Sequence, residues 1–145
     1  MLDRTHVSLN IRLGVLCDHA LIGQDGKLSV IGIFDHIGVV RLPAQHPKFF
    51  VVCVLQGSTI AGAVEMELIA PDNRVLMHES IAVDAESISQ GTGNLIAEIT
   101  MLPLDQVGKY EFRMISEGRD LGRIPLSVSM VDDPSVQTPL EFPRG

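Results

Sequence analysis

The feature that most constrains this chain is the recurrence of apolar residues at every second position, with no comparable helical spacing. In the segment 9–15, Leu9, Ile11, Leu13 and Val15 alternate with polar or small residues, so we expect these four side chains to share one buried face of a strand. The same alternation occurs in four later segments, 64–70, 95–101, 110–114 and 124–130. The pattern predicts an all-β protein.

One segment, Phe49–Leu55, is apolar at every position and is rich in β-branched and aromatic side chains. Such a run is typical of a strand that is covered on both faces, so we expect it at the centre of a sheet. Turn signals at 24–26, 71–74 and 117–119 help to divide the chain into about eight strands, at the spacing of a sandwich or barrel. Residues 84–94 are polar and small, and they are predicted to form a loop or at most one short helical turn.

In two of the alternating segments the apolar face is predicted to end on a methionine. Met101 follows Leu95, Ala97 and Ile99 at the same spacing, and Met130 closes the series that begins at Ile124. We therefore expect both methionines to face the core.

The length of 145 residues is that of one domain, and 46% apolar against 20% charged residues is enough to build a single core. We predict a domain over residues 1–131 and an extended C-terminal arm over residues 132–145. Three prolines, Pro134, Pro139 and Pro143, disfavour helical and ladder hydrogen bonds in this arm. The arm is a candidate to lie across a neighbouring subunit.

Charge and composition argue against several classes of partner. The formal net charge is −7 and the basic residues are dispersed along the chain, which disfavours nucleic acid. The chain has no Trp and one Tyr, so the aromatic platforms that bind sugars and single-stranded nucleic acid are scarce. The run Phe49–Leu55 is too short for a membrane helix, which needs about 20 residues. Residues 1–18 lack the features of a secretory signal, so we expect a cytoplasmic protein.

Acidic residues and histidines cluster in the first half of the chain and suggest a metal site. Asp18, His19, Asp35 and His36 are the candidate ligands, with His46 or His78 as further donors, because carboxylate and neutral imidazole suit zinc or iron. Neighbours in a strand point to opposite faces, however, so Asp18 and His19 do not easily bind the same ion. We favour ordinary strand-end residues over a metal site.

No catalytic motif stands out. Cys17 and Cys53 lie in apolar stretches, where we expect buried, reduced thiols rather than nucleophiles or a disulfide. The chain has no Gly-x-Ser-x-Gly elbow and no phosphate-binding Gly-Lys-Ser/Thr loop, and nothing singles out a pair of its 18 carboxylates. We therefore assign no catalytic residue and no cofactor, and we favour a protein that is not an enzyme.

Several motifs carry a resemblance to a known family; they are the stretches 16–20, 26–37, 43–47, 108–113 and 121–126. Together they resemble a family of short bacterial proteins of unknown function. The resemblance implies an all-β fold in a bacterial cytoplasm, with no established activity. The hairpin 108–128, opened by Gly-Lys-Tyr-Glu-Phe, also looks like the closing hairpin of immunoglobulin-like and jelly-roll sandwiches, so we expect an antiparallel β-sandwich of that type.

Two functional hypotheses follow from the sequence. The first is a non-catalytic binding or scaffold module that forms a homo-oligomer through a sheet face or edge strand, with another protein as a second candidate partner. Mean hydropathy of +0.26 and the doubly apolar strand motivate it. The second is a small metal-binding protein or metal-dependent enzyme that uses the Asp/His cluster.

Overall fold

A computed structural model describes residues 9–57, 62–83 and 91–132. These residues form nine strands and no helix, which confirms the all-β prediction. The strands are β1 Asn10–Ile22, β2 Leu28–Phe34, β3 His36–Val39, β4 Ala44–Gln56, β5 Ala63–Ile69, β6 Val75–Ala82, β7 Thr92–Leu104, β8 Gly108–Ser116 and β9 Arg119–Met130. Residues 84–90, where a helical turn was one expectation, and 133–145 of the C-terminal arm lie outside the described residues.

The strands form two sheets. One has four strands in the order β2-β1-β4-β7, and the other has five in the order β3-β9-β8-β5-β6. All neighbouring pairs are antiparallel except β3 and β9, which are parallel. The exception arises where the chain crosses from one sheet to the other between Phe34 and His36, so that β3 pairs with β9 instead of turning back on β2. The amide of Ser127 donates to the carbonyl of Asp35 at this crossing.

The segment Phe49–Leu55 lies in β4, between β1 and β7, as its apolar character predicts. Phe49 on its inner face meets Phe112 of β8, with ring centroids 6.0 Å apart in an edge-to-face arrangement. Side chains from both sheets form one hydrophobic core, in which Tyr110 and Phe112 are fully buried. The Tyr110 hydroxyl donates to the carbonyl of Gln106 at 2.8 Å, so its buried oxygen is satisfied.

The expectation that Leu13 and Val15 share the face of Ile11 is wrong. The pairing of β1 with β4 shifts between Ile11 and Leu13, because Arg12 is an extra residue in β1. This bulge reverses the alternation, so that Ile11 packs against the core while Leu13 and Val15 lie on the outer face.

The expectation that Met101 and Met130 face the core is also wrong, since both are exposed. Met101 has a positive φ of 52°, and this turn of the backbone directs Leu102 inward in its place. Met130 extends beyond the start of β8, whose first residue, Gly108, pairs with Val128. No β8 residue therefore lies beside Met130 to bury it.

Candidate functional site

Asp18 lies near the end of the inner face of β1. Leu16 is buried in the core, so alternation places Asp18 on the same side and the neighbouring residues Cys17 and His19 on the outer side. Across the β1–β2 pair, Asp18 lies beside Gly32. Gly32 has a positive φ of 74°, and a Cβ added to it would overlap the Asp18 carboxylate. A glycine at this position therefore leaves room for the acid.

Two histidines reach the same region from other strands. His46 of β4 packs its ring against Phe34 and Phe49, with centroids 6.0 Å and 5.4 Å away. His46 lies three residues before the inward-facing Phe49, a spacing that puts two residues on opposite faces of a regular strand. Here both face inward, because β4 and β7 change face at Pro47 and Met101. His36 of β3 forms a hydrogen bond of 2.6 Å between its Nε2 and the Oγ of Ser129.

Asp18, His36 and His46 line one open cavity of about 300 Å³, together with Phe34, Ile37 and Gly38. Burial lowers the pKa of His46, and the negative charge of Asp18 opposes this effect in part. The imidazole of His46 is therefore predominantly neutral at pH 7. Asp18 supplies the negative charge of the cavity, and among the residues that the structure describes no Lys or Arg lines it.

The structure brings together only part of the predicted Asp/His cluster. Asp18 and His36 share the cavity, but His19 lies on the opposite face of the sheet, across from Ile31. Asp35 lines a neighbouring cavity of about 300 Å³, next to Pro125. Within residues 9–57, 62–83 and 91–132, no three His, Cys, Asp or Glu side chains are grouped closely enough to hold a metal ion. The metal hypothesis stays a prediction without geometric support.

His46 is the cavity residue that sequence reasoning ranked too low. His46 lies between two prolines, Pro43 and Pro47, in a stretch that is typical of a loop between strands rather than of a functional site. His78, the other secondary candidate, contacts Glu65 on the five-stranded sheet, with 2.7 Å between its Nε2 and Oε1. It takes no part in the cavity.

Both cysteines are free and buried. They lie on opposite faces of adjacent strands, because Cys53 pairs with Gly14 and belongs to the core, whereas Cys17 pairs with Phe50 on the outer side. Burial raises the pKa of Cys53 to about 12, and burial together with Asp18 raises the pKa of Cys17. Neither thiol is therefore activated as a nucleophile.

The outer side of the four-stranded sheet is apolar. Ile31 and Ile33 of β2 are 56% and 60% exposed, whereas the central side chains Cys17 and Val52 are buried. The registers of the four strands place ten apolar side chains on this surface, which we call the outer apolar face: Leu13, Val15, Cys17, Leu21, Ile31, Ile33, Phe50, Val52, Val54 and Ile96. A contiguous surface of this kind is characteristic of an interaction site.

The outer side of the five-stranded sheet has the opposite character. It carries ion pairs between neighbouring strands, of which Arg123–Glu111 is 2.9 Å and Arg113–Glu67 is 3.5 Å. Such a surface is typical of a sheet face that is in contact with water. The two outer sides therefore differ in what they can bind.

The chain is similar to solved structures at low sequence identity. None of the residues described belongs to a helix that is long and apolar enough to span a bilayer. No curated protein matches the sequence. Among solved structures, the chain is similar to an immunoglobulin-like protein from Pseudomonas aeruginosa, with 11% identity, a TM-score of 0.46, and coverage of 85% of this chain and 98% of that one. It is also similar to part of a Bifidobacterium dentium beta-glucuronidase complexed with coumarin-3-O-glucuronide, with 11% identity, a TM-score of 0.40, and coverage of 84% of this chain and 18% of that one.

The family assignment comes from the sequence itself. The matched segment, residues 12–129, begins in β1 and ends in β9, so it includes the Asp18 cavity and the outer apolar face. The resemblance to a family of unknown function is thereby confirmed. The chain belongs to the Family of unknown function (DUF6941).

Proposed function

We propose that this protein is a non-catalytic, immunoglobulin-like β-sandwich that self-associates through its outer apolar face. The observation that carries the proposal is the contrast between the two outer sides, one apolar and one covered by ion pairs. A soluble domain rarely leaves a contiguous apolar sheet face in water, because covering it removes apolar surface at about 25 cal/mol per Å².

Net charge limits which surfaces of two copies of the chain can meet. Each copy has a formal net charge of −7, so two copies repel each other wherever charged surfaces meet. On the same side of the sheet, Lys48 and Glu98 form an ion pair of 3.9 Å within one chain. Two such faces therefore meet without leaving a new charge unpaired.

The dimensions of the face also suit a dimer. From strand spacing, the stretch from Lys48 to Gln56 is about 30 Å long and four strands are about 19 Å wide. Two such faces bury roughly 1,100 Å², slightly above the ~1,000 Å² expected of a biological interface. A two-fold axis through the face places the same residues on both sides, as in most homodimers.

The proposal is tested by sedimentation equilibrium and light scattering over about three decades of protein concentration. We expect a dimer for the natural sequence and a monomer for Ile33→Glu, with the dissociation constant raised at least about 100-fold by the buried charge. Val75→Glu is the matched control, because Val75 is 55% exposed on an edge strand of the other sheet.

Ile31→Lys separates the effect of apolarity from that of net charge. It lowers the magnitude of the negative charge, and we expect it to dissociate the dimer as Ile33→Glu does. Circular dichroism of each variant verifies that the sheets are retained. A natural chain that stays monomeric at millimolar concentration overturns the proposal, as does a dimer that Ile33→Glu leaves unchanged.

A further inference from the structure

We propose that the cavity lined by Asp18, His36 and His46 binds a small organic ammonium ion, with the Asp18 carboxylate as its counter-ion. The proposal is independent of self-association, because Asp18 lies on the inner side of β1 and the outer apolar face lies on the other side of the same sheet. Three features of the cavity support a ligand of this kind: the Asp18 carboxylate, the charge of the lining and the volume.

The Asp18 carboxylate has no hydrogen bond or ion pair with any residue that the structure describes. Other acids do have such partners, as Glu67 does with Arg113 and Glu111 does with Arg123. The space for the Asp18 carboxylate depends on Gly32 in a left-handed conformation, which other residues adopt only at a cost of roughly 1–2 kcal/mol. The fold thus accommodates an acid at a cavity wall and leaves its oxygens available.

The charge of the cavity selects a cation. The described part of the lining has one carboxylate, two imidazoles and no Lys or Arg, so Asp18 repels an anion there. Burial keeps the His46 imidazole neutral near pH 7, so it does not cancel the negative charge. His36 uses Nε2 for Ser129 and retains Nδ1 as a second polar contact for a ligand.

The size and the apolar wall select a compact organic cation. A volume of about 300 Å³ is at the lower end of ligand-binding pockets and fits a molecule with a single ring. Phe34 and Ile37 supply the apolar side, and aromatic rings attract ammonium groups. A cation with a short apolar body matches both the polar lining at Asp18 and the apolar lining at Phe34 and Ile37.

The test uses three probes that share one ring and differ in head-group charge: benzylamine, benzyl alcohol and benzoate. Titration of ¹⁵N-labelled protein at pH 7.5 is followed by amide chemical shifts. We expect saturable shifts at Gly32, Phe34 and Gly38 with benzylamine, and none with benzoate. Asp18→Asn is expected to weaken benzylamine binding about tenfold or more, because a hydrogen-bonded ion pair is lost.

Glu79→Gln is the matched control, since it removes one negative charge from β6, outside the lining of this cavity. We expect it to leave the affinity for benzylamine within about twofold. Gly32→Ala is a second site variant that displaces the Asp18 carboxylate while keeping its charge, and we expect it to weaken binding as well. Dispersed amide spectra of each variant verify folding.

Several results overturn the proposal: no saturable shift with benzylamine, equal shifts with benzoate, or an unchanged affinity in Asp18→Asn. Zinc chloride is a further arm, and zinc-dependent shifts at the same amides without any response to benzylamine assign the cavity to a metal instead. Repeating the titration with Ile33→Glu distinguishes this site from the dimer. The affinity is expected to stay the same in that variant whether or not the natural chain self-associates.

Discussion

A Cβ atom on Gly32 would lie 2.9 Å from the Cγ of Asp18, so the glycine leaves the space that the carboxylate occupies. The two residues come from β2 and β1, and they meet because the antiparallel register sets them side by side. A backbone conformation in one strand thereby determines where an acidic group of its neighbour lies.

Gly32→Ala is expected to lower the free energy of unfolding by about 2–3 kcal/mol, because left-handed backbone strain adds to a steric overlap with Asp18. The control is Gly26→Ala. Gly26 has a similar φ of 82° but nothing within 4 Å of the added Cβ, so we expect only the backbone cost of about 1–2 kcal/mol. Urea unfolding of both variants gives the comparison. Equal losses would show that Asp18 adds no steric cost.

Stability is expected to fall as the pH decreases from 7.5 to 5, in part through His46. Burial lowers its pKa in the folded state, so protons bind more readily to the unfolded chain. The stabilisation is present above the ordinary histidine pKa of about 6.5 and is lost as the pH falls toward the lowered value. Urea unfolding at several pH values is expected to show a shallower pH dependence for His46→Gln. An unchanged slope in His46→Gln would contradict this contribution of His46.

Phe112→Ala is expected to lower the free energy of unfolding by about 3–5 kcal/mol, because Phe112 is fully buried and its ring packs against Phe49. Val107→Ala removes exposed apolar atoms, and we expect it to change stability by less than about 0.5 kcal/mol. Both are measured by urea unfolding in the Ile33→Glu background, where a change in association does not enter the result. A loss below about 1 kcal/mol for Phe112→Ala would contradict the position of this ring in the core.

Both thiols are expected to resist alkylation by iodoacetamide at pH 7.5 in the folded protein, because both are buried and both have raised pKa values. In the Ile33→Glu background, where the outer apolar face is not held in a dimer, Cys17 is expected to react before Cys53, since Cys17 lies on the outer side of the sheet, whereas Cys53 is in the core. Mass spectrometry of timed samples identifies the modified residue. Earlier labelling of Cys53 would contradict this placement, and labelling in 8 M urea shows that both thiols are chemically competent.

The local sequence patterns predicted the positions of strands and turns well, and predicted less well which side chains of a strand face the core. Alternation and turn residues located the hairpin at residues 117–119 and the central position of Phe49–Leu55, because these signals depend on neighbours in sequence. One extra residue at Arg12 and one left-handed residue at Met101 each reversed the alternation downstream. Neither irregularity has a sequence signal, since Arg and Met are not residues that favour a bulge or a positive φ.

Only some residues of the candidate site could be predicted from the sequence. The sequence indicated that Asp18 and His36 are unusual residues, and alternation separated Asp18 from His19, as the structure shows. It did not indicate that His46 completes the cavity or that Asp35 lies outside it. These positions depend on the crossing of the chain between the two sheets and on the change of face at Pro47.

By itself, the sequence determined that this chain is all-β and that β4 is central, because apolar periodicity selects strands and buries one face or both. Only the tertiary structure decided that β1, β3 and β4 bring one acid and two histidines to a single cavity, and that ten apolar side chains share the outer side of one sheet. The physical reason is that pairing between distant strands is set by the packing of the whole core. A shift of one residue in any strand exchanges its inner and outer side chains.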